Sequence, residues 1–277
     1  MTIALVIRAL DGFVVAADRQ ETAGDQKGEQ GKITSVWKAN PPACLVVTGA
    51  GDGPYLDSIS TRLRKSFGES KEADLDGIGA ELDALNQEFY KEKVIPISDD
   101  PNLRPNYDLL LACRSANQMA IWKTSQLAFV KEEFYSAVGI GDMTAMPLLR
   151  KLWLPVPIEE AINLAAFTIQ EVKASVEGCG LGTDIVFSKT EIFQNYVPMF
   201  MEDDEIREME NLFRLYRKVE RETFHYCVAH VPSVHTKDVI EKYKQNRSKM
   251  RDAFEKINDR RRELFKPSTS EMSEPRP

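Results

Sequence analysis

The chain opens with Thr2-Ile3-Ala4-Leu5-Val6-Ile7-Arg8, and the dipeptide Asp11-Gly12 separates this stretch from Phe13-Val14-Val15-Ala16-Ala17-Asp18. Both stretches are apolar, rich in β-branched residues and free of helical spacing, so they predict two strands. Asp-Gly tolerates the positive φ angles of a tight turn, which makes the two strands a hairpin. Because its arms are about equally long, we expect the hairpin to bring Asp18 back beside Thr2.

Thr2 is a candidate nucleophile, because removal of Met1 would place its hydroxyl and a free amine within one residue. An α-amino group titrates near about 8, so its neutral fraction can take the hydroxyl proton directly or through a water. The residue would then combine nucleophile and base, as the serine and histidine of other hydrolases do together. Threonine is also a common second residue, so its position alone decides nothing.

Lys32 is the expected cation for Asp18, because a buried carboxylate at the end of the hairpin needs a positive partner. It follows a polar loop predicted over residues 19–31 and opens the next apolar stretch. An ammonium directed at the Thr2 hydroxyl would favour the alkoxide form of that hydroxyl. Taken singly, Asp18 fits a turn-capping carboxylate and Lys32 a solvated loop charge.

Gly49 is the candidate residue for binding an oxyanion. An apolar strand predicted from residue 44 runs into glycines here, ahead of a helical pattern over residues 55–67. A glycine at such a turn exposes its backbone N–H and permits close approach by a substrate. The glycine spacing fits neither a G-x-G-x-x-G fingerprint nor a P-loop, so we set nucleotide binding aside.

In order and spacing, these residues resemble those of the β-type subunits of the proteasome and their simpler bacterial relatives, which are N-terminal nucleophile hydrolases. The resemblance rests on Thr2, the hairpin ending in Asp18, the pair Lys32-Ile33, the stretch Thr48-Gly49-Ala50-Gly51 and the stretch Ser136-Ala137-Val138-Gly139-Ile140-Gly141. It fades after a strand predicted at residues 183–188. The resemblance implies that Thr2 is the nucleophile, that Asp18 and Lys32 support it, and that the Gly49 amide binds the oxyanion.

The resemblance adds three supporting candidates, Gly139, Gly141 and Glu177. Active members of the family commonly carry a serine between the two glycines, where this chain has Ile140. They also carry an acidic residue followed by a serine before the later strand. Glu177 stands in for the acid, and Gly180 occupies the position of that serine. Because those serines help to orient the terminal amine, their absence leaves the base less well held.

The predicted elements come in the order strands, two helices, strands, two helices, strands. Helical patterns cover residues 54–71, 73–93, 145–154 and 158–176, while later strands are predicted at 107–114, 118–123, 134–138 and 183–188. This order indicates α+β layering. The resemblance implies a four-layer αββα sandwich, with two antiparallel sheets between helical layers and a helical C-terminal extension. We expect a proteasome-like hydrolase domain over residues 2–200, a charged helical extension over 201–266 and a disordered tail over 267–277.

Composition bears on several functional classes. The 277 residues are 43% hydrophobic, which suffices for a full core, but no apolar run approaches membrane-spanning length and no signal-peptide pattern opens the chain. The net charge is −7, and the basic cluster at residues 260–262 is too short for nucleic-acid binding. The four cysteines lack C-x-x-C spacing. We therefore expect a cytoplasmic protein with reduced thiols, without membrane or nucleic-acid binding.

The three histidines, His225, His230 and His235, lie five residues apart, which gives them no common face on a helix or a strand. We expect no metal site, and the proposed chemistry requires neither a metal nor a cofactor. The neighbouring aromatic residues Phe224 and Tyr226 suggest a strand packed on the core.

The sequence thus predicts a threonine-type peptidase that hydrolyses peptides or unfolded proteins through an acyl-enzyme. The resemblance implies a homo-oligomeric ring and is compatible with a separate ATPase partner that unfolds substrates. Two alternatives stay open: an amidohydrolase of the same superfamily that cuts a small amide, and a noncatalytic structural ring subunit. The absent serines favour the structural subunit, whereas the catalytic order of Thr2, Asp18, Lys32 and Gly49 argues against it.

Overall fold

The computed structural model describes residues 2–23, 26–116, 118–125, 127–190 and 197–228, together with isolated positions between 241 and 259. The chain divides into two compact units, Met1–Ile206 and Arg207–Pro277. The strands are β1 (Ala4–Ala9), β2 (Gly12–Asp18), β3 (Gln20–Ala23), β4 (Gln26–Glu29), β5 (Thr34–Ala39), β6 (Pro42–Gly51), β7 (Tyr107–Ser115), β8 (Gln118–Ser125), β9 (Ala128–Glu132), β10 (Tyr135–Val138), β11 (Thr183–Lys189) and β12 (Met199–Phe200). The helices are α1 (Gly53–Glu69), α2 (Leu75–Phe89), α3 (Asp142–Leu152), α4 (Ile158–Ser175) and α5 (Asp203–Val228).

The first sheet has the strand order β10-β1-β2-β11-β12, and every neighbouring pair is antiparallel. Its centre is the N-terminal hairpin, in which Ala4 pairs with Ala17. Both strands of the hairpin are buried along nearly their whole length. Because the sheet is covered on both faces, these strands are uniformly apolar and do not alternate between polar and apolar residues.

The second sheet has the strand order β5-β6-β7-β8-β9 and is also antiparallel, whereas β3 and β4 form a separate hairpin. The ladder between β5 and β6 stops at Thr34, which pairs with Val47, but β6 continues to Gly51. Within the described residues, the last four positions of β6 therefore pair with β7 on one side and with no strand on the other. This free edge borders the candidate active site.

Two apolar clusters define the layers. One cluster lies between the sheets and joins Val6 and Val15 of the first sheet to Val46 and Leu110 of the second. The other joins the outer face of the second sheet to α1 and α2, with Phe67 among its fully buried residues. On the first sheet, α4 contacts β1, β2 and β11, and α3 packs on α4 and β10. The predicted sandwich of two antiparallel sheets between helical layers is confirmed.

Several elements differ from the sequence-based expectation. The predicted loop over residues 19–31 contains β3 and β4, whose polar sequence has no apolar alternation because this hairpin belongs to neither sheet. The short edge strand β9 was not predicted, since most of its residues are exposed and it lacks a continuous apolar run. The predicted strand at residues 134–138 exists as β10, and it pairs with β1 of the first sheet.

The helix α5 carries most of the described residues of the second unit. Its first turn contains Asp203, Asp204 and Glu205, which favour the positive end of the helix dipole. Phe224 and Tyr226 lie within this helix, so the strand suggested there is wrong. No glycine or proline interrupts residues 203–228, and the helical pattern therefore continues past them.

Part of the predicted C-terminal extension lies outside the described residues, namely residues 229–240, positions scattered through 242–258, and residues 260–277 with the predicted tail. His230 and His235 also fall there. Among the helices of the described part, none has the length and apolar character needed to cross a membrane.

Candidate active site

The N-terminal hairpin places the Thr2 hydroxyl against Asp18. The Thr2 Oγ1 donates to Asp18 Oδ1 at 2.8 Å, and the Ile3 amide donates to the same oxygen at 3.1 Å. The Asp18 amide in turn donates to the Ile3 carbonyl at 3.1 Å, which extends the hairpin beyond its last strand pair. The register of the hairpin thus brings the candidate nucleophile and the carboxylate together.

Asp18 is the buried centre of this cluster, with a side chain that has no exposed surface. Lys32 Nζ lies 2.9 Å from Asp18 Oδ1, and the Gly180 amide donates to Asp18 Oδ2 at 3.0 Å. A carboxylate loses favourable hydration on burial and needs both a cation and hydrogen-bond donors in return. Here one ammonium, one hydroxyl and two backbone amides supply them.

Lys32 holds its positive charge against the oxygen that would attack a substrate. Its Nζ donates to Thr2 Oγ1 and to the Gln20 carbonyl, as well as to Asp18. An ammonium has three protons, and three acceptors surround this one. Its backbone is fixed as well, because Thr48 Oγ1 donates to the Lys32 carbonyl at 3.0 Å. Developing negative charge on the Thr2 oxygen would therefore face a cation that is already in position.

The direction of the Gly49 amide follows from the sheet register. Gly49 pairs with Leu109, whose own N–H donates to Thr124 Oγ1 at 2.8 Å and so points away from Gly49. In an antiparallel ladder, facing residues exchange both hydrogen bonds or neither, and hence the Gly49 N–H also points away from β7. It is directed to the free edge of β6, on the side where β5 has ended.

A cavity of about 280 Å³ opens at this edge, in front of Thr2 and Lys32. Gly49 and Ala50 line it from β6, the first turn of α1 lines it from a second side, and Glu21 lines it from a third. Its volume is close to the lower end of the range for small-molecule sites, about 300–1,000 Å³. The Thr2 hydroxyl, the Lys32 ammonium and the Gly49 amide therefore meet at one opening.

Gly139 and Gly141 pack on the backbone of the candidate nucleophile. A side chain at Gly139 would put its Cβ 2.2 Å from the Thr2 carbonyl oxygen, and the residue has a φ of +99°. At Gly141 a Cβ would lie 2.8 Å from Ile3 Cβ, while the Gly141 amide donates to the Thr2 carbonyl at 3.5 Å. Both glycines allow the turn before α3 to hold Thr2 in place.

Glu177 does not join the cluster. It is exposed and, among the described residues, its carboxylate forms no hydrogen bond or ion pair. The neighbouring Gly180 contacts Asp18 through its backbone instead, and a Cβ at Gly180 would lie 2.5 Å from Gln20 Oε1. Gln20 and Gly180 were missed as contributors because both act through backbone atoms, which the residue type does not reveal.

Cys179 lies close to Asp18 but is a poor competitor for the role of nucleophile. Burial raises the pKa of its thiol to about 12, and the nearby charge of Asp18 adds to the effect. The thiol is therefore protonated at neutral pH, and a protonated thiol is a weak nucleophile. Cys44 and Cys113 are likewise free and buried.

The described residues contain no group of three or more histidine, cysteine, aspartate or glutamate side chains arranged to hold a metal ion. At the cavity, the Thr2 hydroxyl, the Lys32 ammonium and the Gly49 backbone amide lie close to the Asp18 carboxylate. These groups can promote nucleophilic attack by Thr2 and can stabilise a negatively charged oxygen.

Comparisons with known proteins place this fold. No protein-family profile matches the chain, and no curated protein sequence matches it. Solved structures do. A Gly-1 mutant of Anbu from Hyphomicrobium sp. strain MC1 superposes with a TM-score of 0.66 at 14% identity. The match covers 81% of this chain and 96% of the Hyphomicrobium chain. Anbu from Yersinia bercovieri, described as the ancestral beta-subunit, superposes with a TM-score of 0.64 at 18% identity. The match covers 84% of this chain and 98% of the Yersinia chain.

A third similar structure is the helical assembly of the Anbu complex from Pseudomonas aeruginosa, with a TM-score of 0.65 at 17% identity, covering 83% of this chain and 97% of that chain. The likeness spans nearly the whole of each of these proteins. A smaller fraction of this chain is covered because it has additional residues. The chain therefore has the fold of Anbu.

Proposed function

We propose that the chain is a threonine-type peptidase of the proteasome-like N-terminal nucleophile hydrolases. The observation that carries the proposal is the contact of Lys32 and Asp18 with the Thr2 hydroxyl, beside a cavity into which the Gly49 amide is directed. The Anbu fold supports the relationship to this superfamily.

The proposed reaction begins once Met1 has been removed. Thr2 Oγ1 attacks the carbonyl carbon of a peptide bond, and its proton passes to the Thr2 amine, directly or through a water. The carbonyl oxygen becomes an oxyanion that accepts from the Gly49 N–H. The C–N bond then breaks, the leaving amine takes the proton, and an ester on Thr2 remains. A water hydrolyses that ester and restores the free hydroxyl.

Lys32 and Asp18 have separate parts in this scheme. Lys32 stabilises negative charge on Thr2 Oγ1 during attack, and Asp18 fixes the lysine. Gly139 and Gly141 position the nucleophile because the turn that contains them packs against the Thr2 carbonyl group. The Gly180 amide donates to Asp18 and so helps to fix the carboxylate, although no serine hydroxyl at this position orients the terminal amine.

We also propose that the chain assembles with copies of itself. The helical assembly of the Anbu complex from Pseudomonas aeruginosa, which has the same fold, supports a homo-oligomer. A noncatalytic subunit is one alternative, because Ile140 and Gly180 stand where active members of the resembled family have serines. Such a subunit would have no need of a lysine directed at Thr2.

The test is the intact mass of the purified protein before and after incubation with an epoxyketone or a β-lactone, which react with terminal threonines. We expect loss of Met1 and one adduct per chain. Thr2→Ala is expected to lose Met1 as well but to form no adduct, and Thr2→Ser to retain labelling. A wild-type protein that keeps Met1, or that has a free Thr2 and never labels with several warheads, would support the structural subunit.

A further inference from the structure

The cavity beside Thr2 carries more negative charge than the candidate catalytic groups require. Glu21, Asp52 and Asp57 all line it. Among the described residues that line it, Lys32 is the single lysine or arginine, and its ammonium is already bound to Asp18 at 2.9 Å. The charge of Lys32 is therefore balanced within the cluster, and the described lining residues offer no further cation to the three carboxylates.

The partners of these carboxylates support that view. In the described part of the chain, the side chains of Glu21 and Asp57 form no hydrogen bond or ion pair. Asp52 Oδ2 accepts from the backbone N–H of Asn106 at 2.8 Å. Asp52 directly precedes α1, whose N-terminal end carries a partial positive charge of about half an elementary charge. That partial charge offsets only a fraction of three carboxylates, so the cavity stays negative.

The remaining walls fit a long aliphatic stem. Ala50, Pro54 and Leu56 contribute apolar surface to the same cavity. Lysine and arginine combine an apolar stem with a charged end, and they bind where apolar walls lead to carboxylates. An acidic side chain would meet repulsion in this cavity, and an aliphatic one would gain nothing from the carboxylates, which belong to exposed residues.

We propose that the cavity binds a lysine or arginine side chain of the substrate, so that the enzyme cleaves on the carboxyl side of basic residues. The inference rests on the proposed function. The cavity adjoins the Gly49 amide and Thr2 Oγ1, so in the proposed reaction it is open to the side chain of the residue whose carbonyl is attacked. Glu21 and Asp57 are then the residues that set specificity.

The test compares three fluorogenic peptides that differ only in the residue before the reporter amide, which is arginine, leucine or glutamate. We expect kcat/KM to be highest for arginine and lowest for glutamate, with the ratio of arginine to leucine falling as salt is added. Glu21→Gln and Asp57→Asn should each lower that ratio about two- to fivefold, the effect of removing one partly exposed ion pair. Glu133→Gln removes an exposed carboxylate that does not line the cavity, and it should leave the ratio unchanged.

The outcomes separate the two proposals. Cleavage with leucine equal to or better than arginine overturns the specificity assignment and leaves the hydrolase intact. An arginine preference that neither variant lowers overturns the role of these carboxylates. Failure to cleave every peptide, together with absence of a covalent adduct, overturns the proposed function and this inference with it.

Discussion

Replacement of Lys32 by methionine tests how much the buried ion pair contributes to the fold. The variant keeps a similar aliphatic length but leaves the Asp18 carboxylate, which has no exposed surface, without its cation. At the observed separation of 2.9 Å, the gross attraction is about 6 kcal/mol with an effective dielectric constant of about 20. Removal of one partner of a buried pair typically costs about 3–5 kcal/mol. Since 16% of the Lys32 side chain is exposed, we expect a loss of about 3 kcal/mol.

The assay is urea unfolding followed by tryptophan fluorescence. All three tryptophans, at positions 37, 122 and 153, belong to the first unit, so the signal reports on the unit that contains the pair. Lys71→Met is the matched control, because Lys71 is exposed and, among the described residues, has no ion pair. Its expected effect is below about 0.5 kcal/mol.

A double variant sharpens the test. Asp18→Asn removes the uncompensated charge, so Asp18→Asn combined with Lys32→Met should cost about 2 kcal/mol less than the sum of the single variants. Additive losses, or a Lys32→Met protein as stable as the Lys71→Met control, would refute the reasoning that the carboxylate depends on this cation.

Three further predictions concern other parts of the same unit. Gly139→Ala should lower the free energy of unfolding by at least about 2 kcal/mol, because Gly139 has a positive φ and an added Cβ would clash with the Thr2 carbonyl. Gly28→Ala is the control, since a Cβ at Gly28 would meet open space, and it should change the free energy of unfolding little in the same urea titration. Cys179 should resist iodoacetamide at pH 8 in the folded protein and react in urea, because a pKa of about 12 leaves about one thiol in ten thousand ionised; rapid alkylation seen by peptide mass spectrometry would contradict this. Lys38→Met should cost about 1–3 kcal/mol, because the Lys38 ammonium donates to two backbone carbonyls at 2.9 and 2.8 Å; an unchanged urea midpoint would show that water replaces those bonds.

The central part of this fold could be predicted from the sequence because the signals for it lie in short stretches of consecutive residues. The Asp11-Gly12 turn and the apolar arms predict the hairpin, and the register of the hairpin alone brings Asp18 to Thr2. The glycines after Thr48 mark the change from β6 to α1 in the same way. Each of these predictions depends on a few consecutive residues.

The remaining parts depend on contacts between distant segments. Gly180 is 162 residues from Asp18 along the chain, and its role consists of a backbone N–H that any residue type would offer. The polar hairpin of β3 and β4 has no apolar face, so periodicity does not reveal it. The family pattern points to Glu177, but its carboxylate has no partner among the described residues.

The long sequence separations in the site also set an order of events during synthesis. Thr2 is synthesised long before the glycines that hold its carbonyl, at positions 139 and 141, and before the amide at position 180 that completes the Asp18 contacts. A nascent chain therefore carries the threonine long before it carries the groups that position and support it. Only the finished sandwich assembles the whole set, so the proposed nucleophile lacks its supporting groups until the fold is complete.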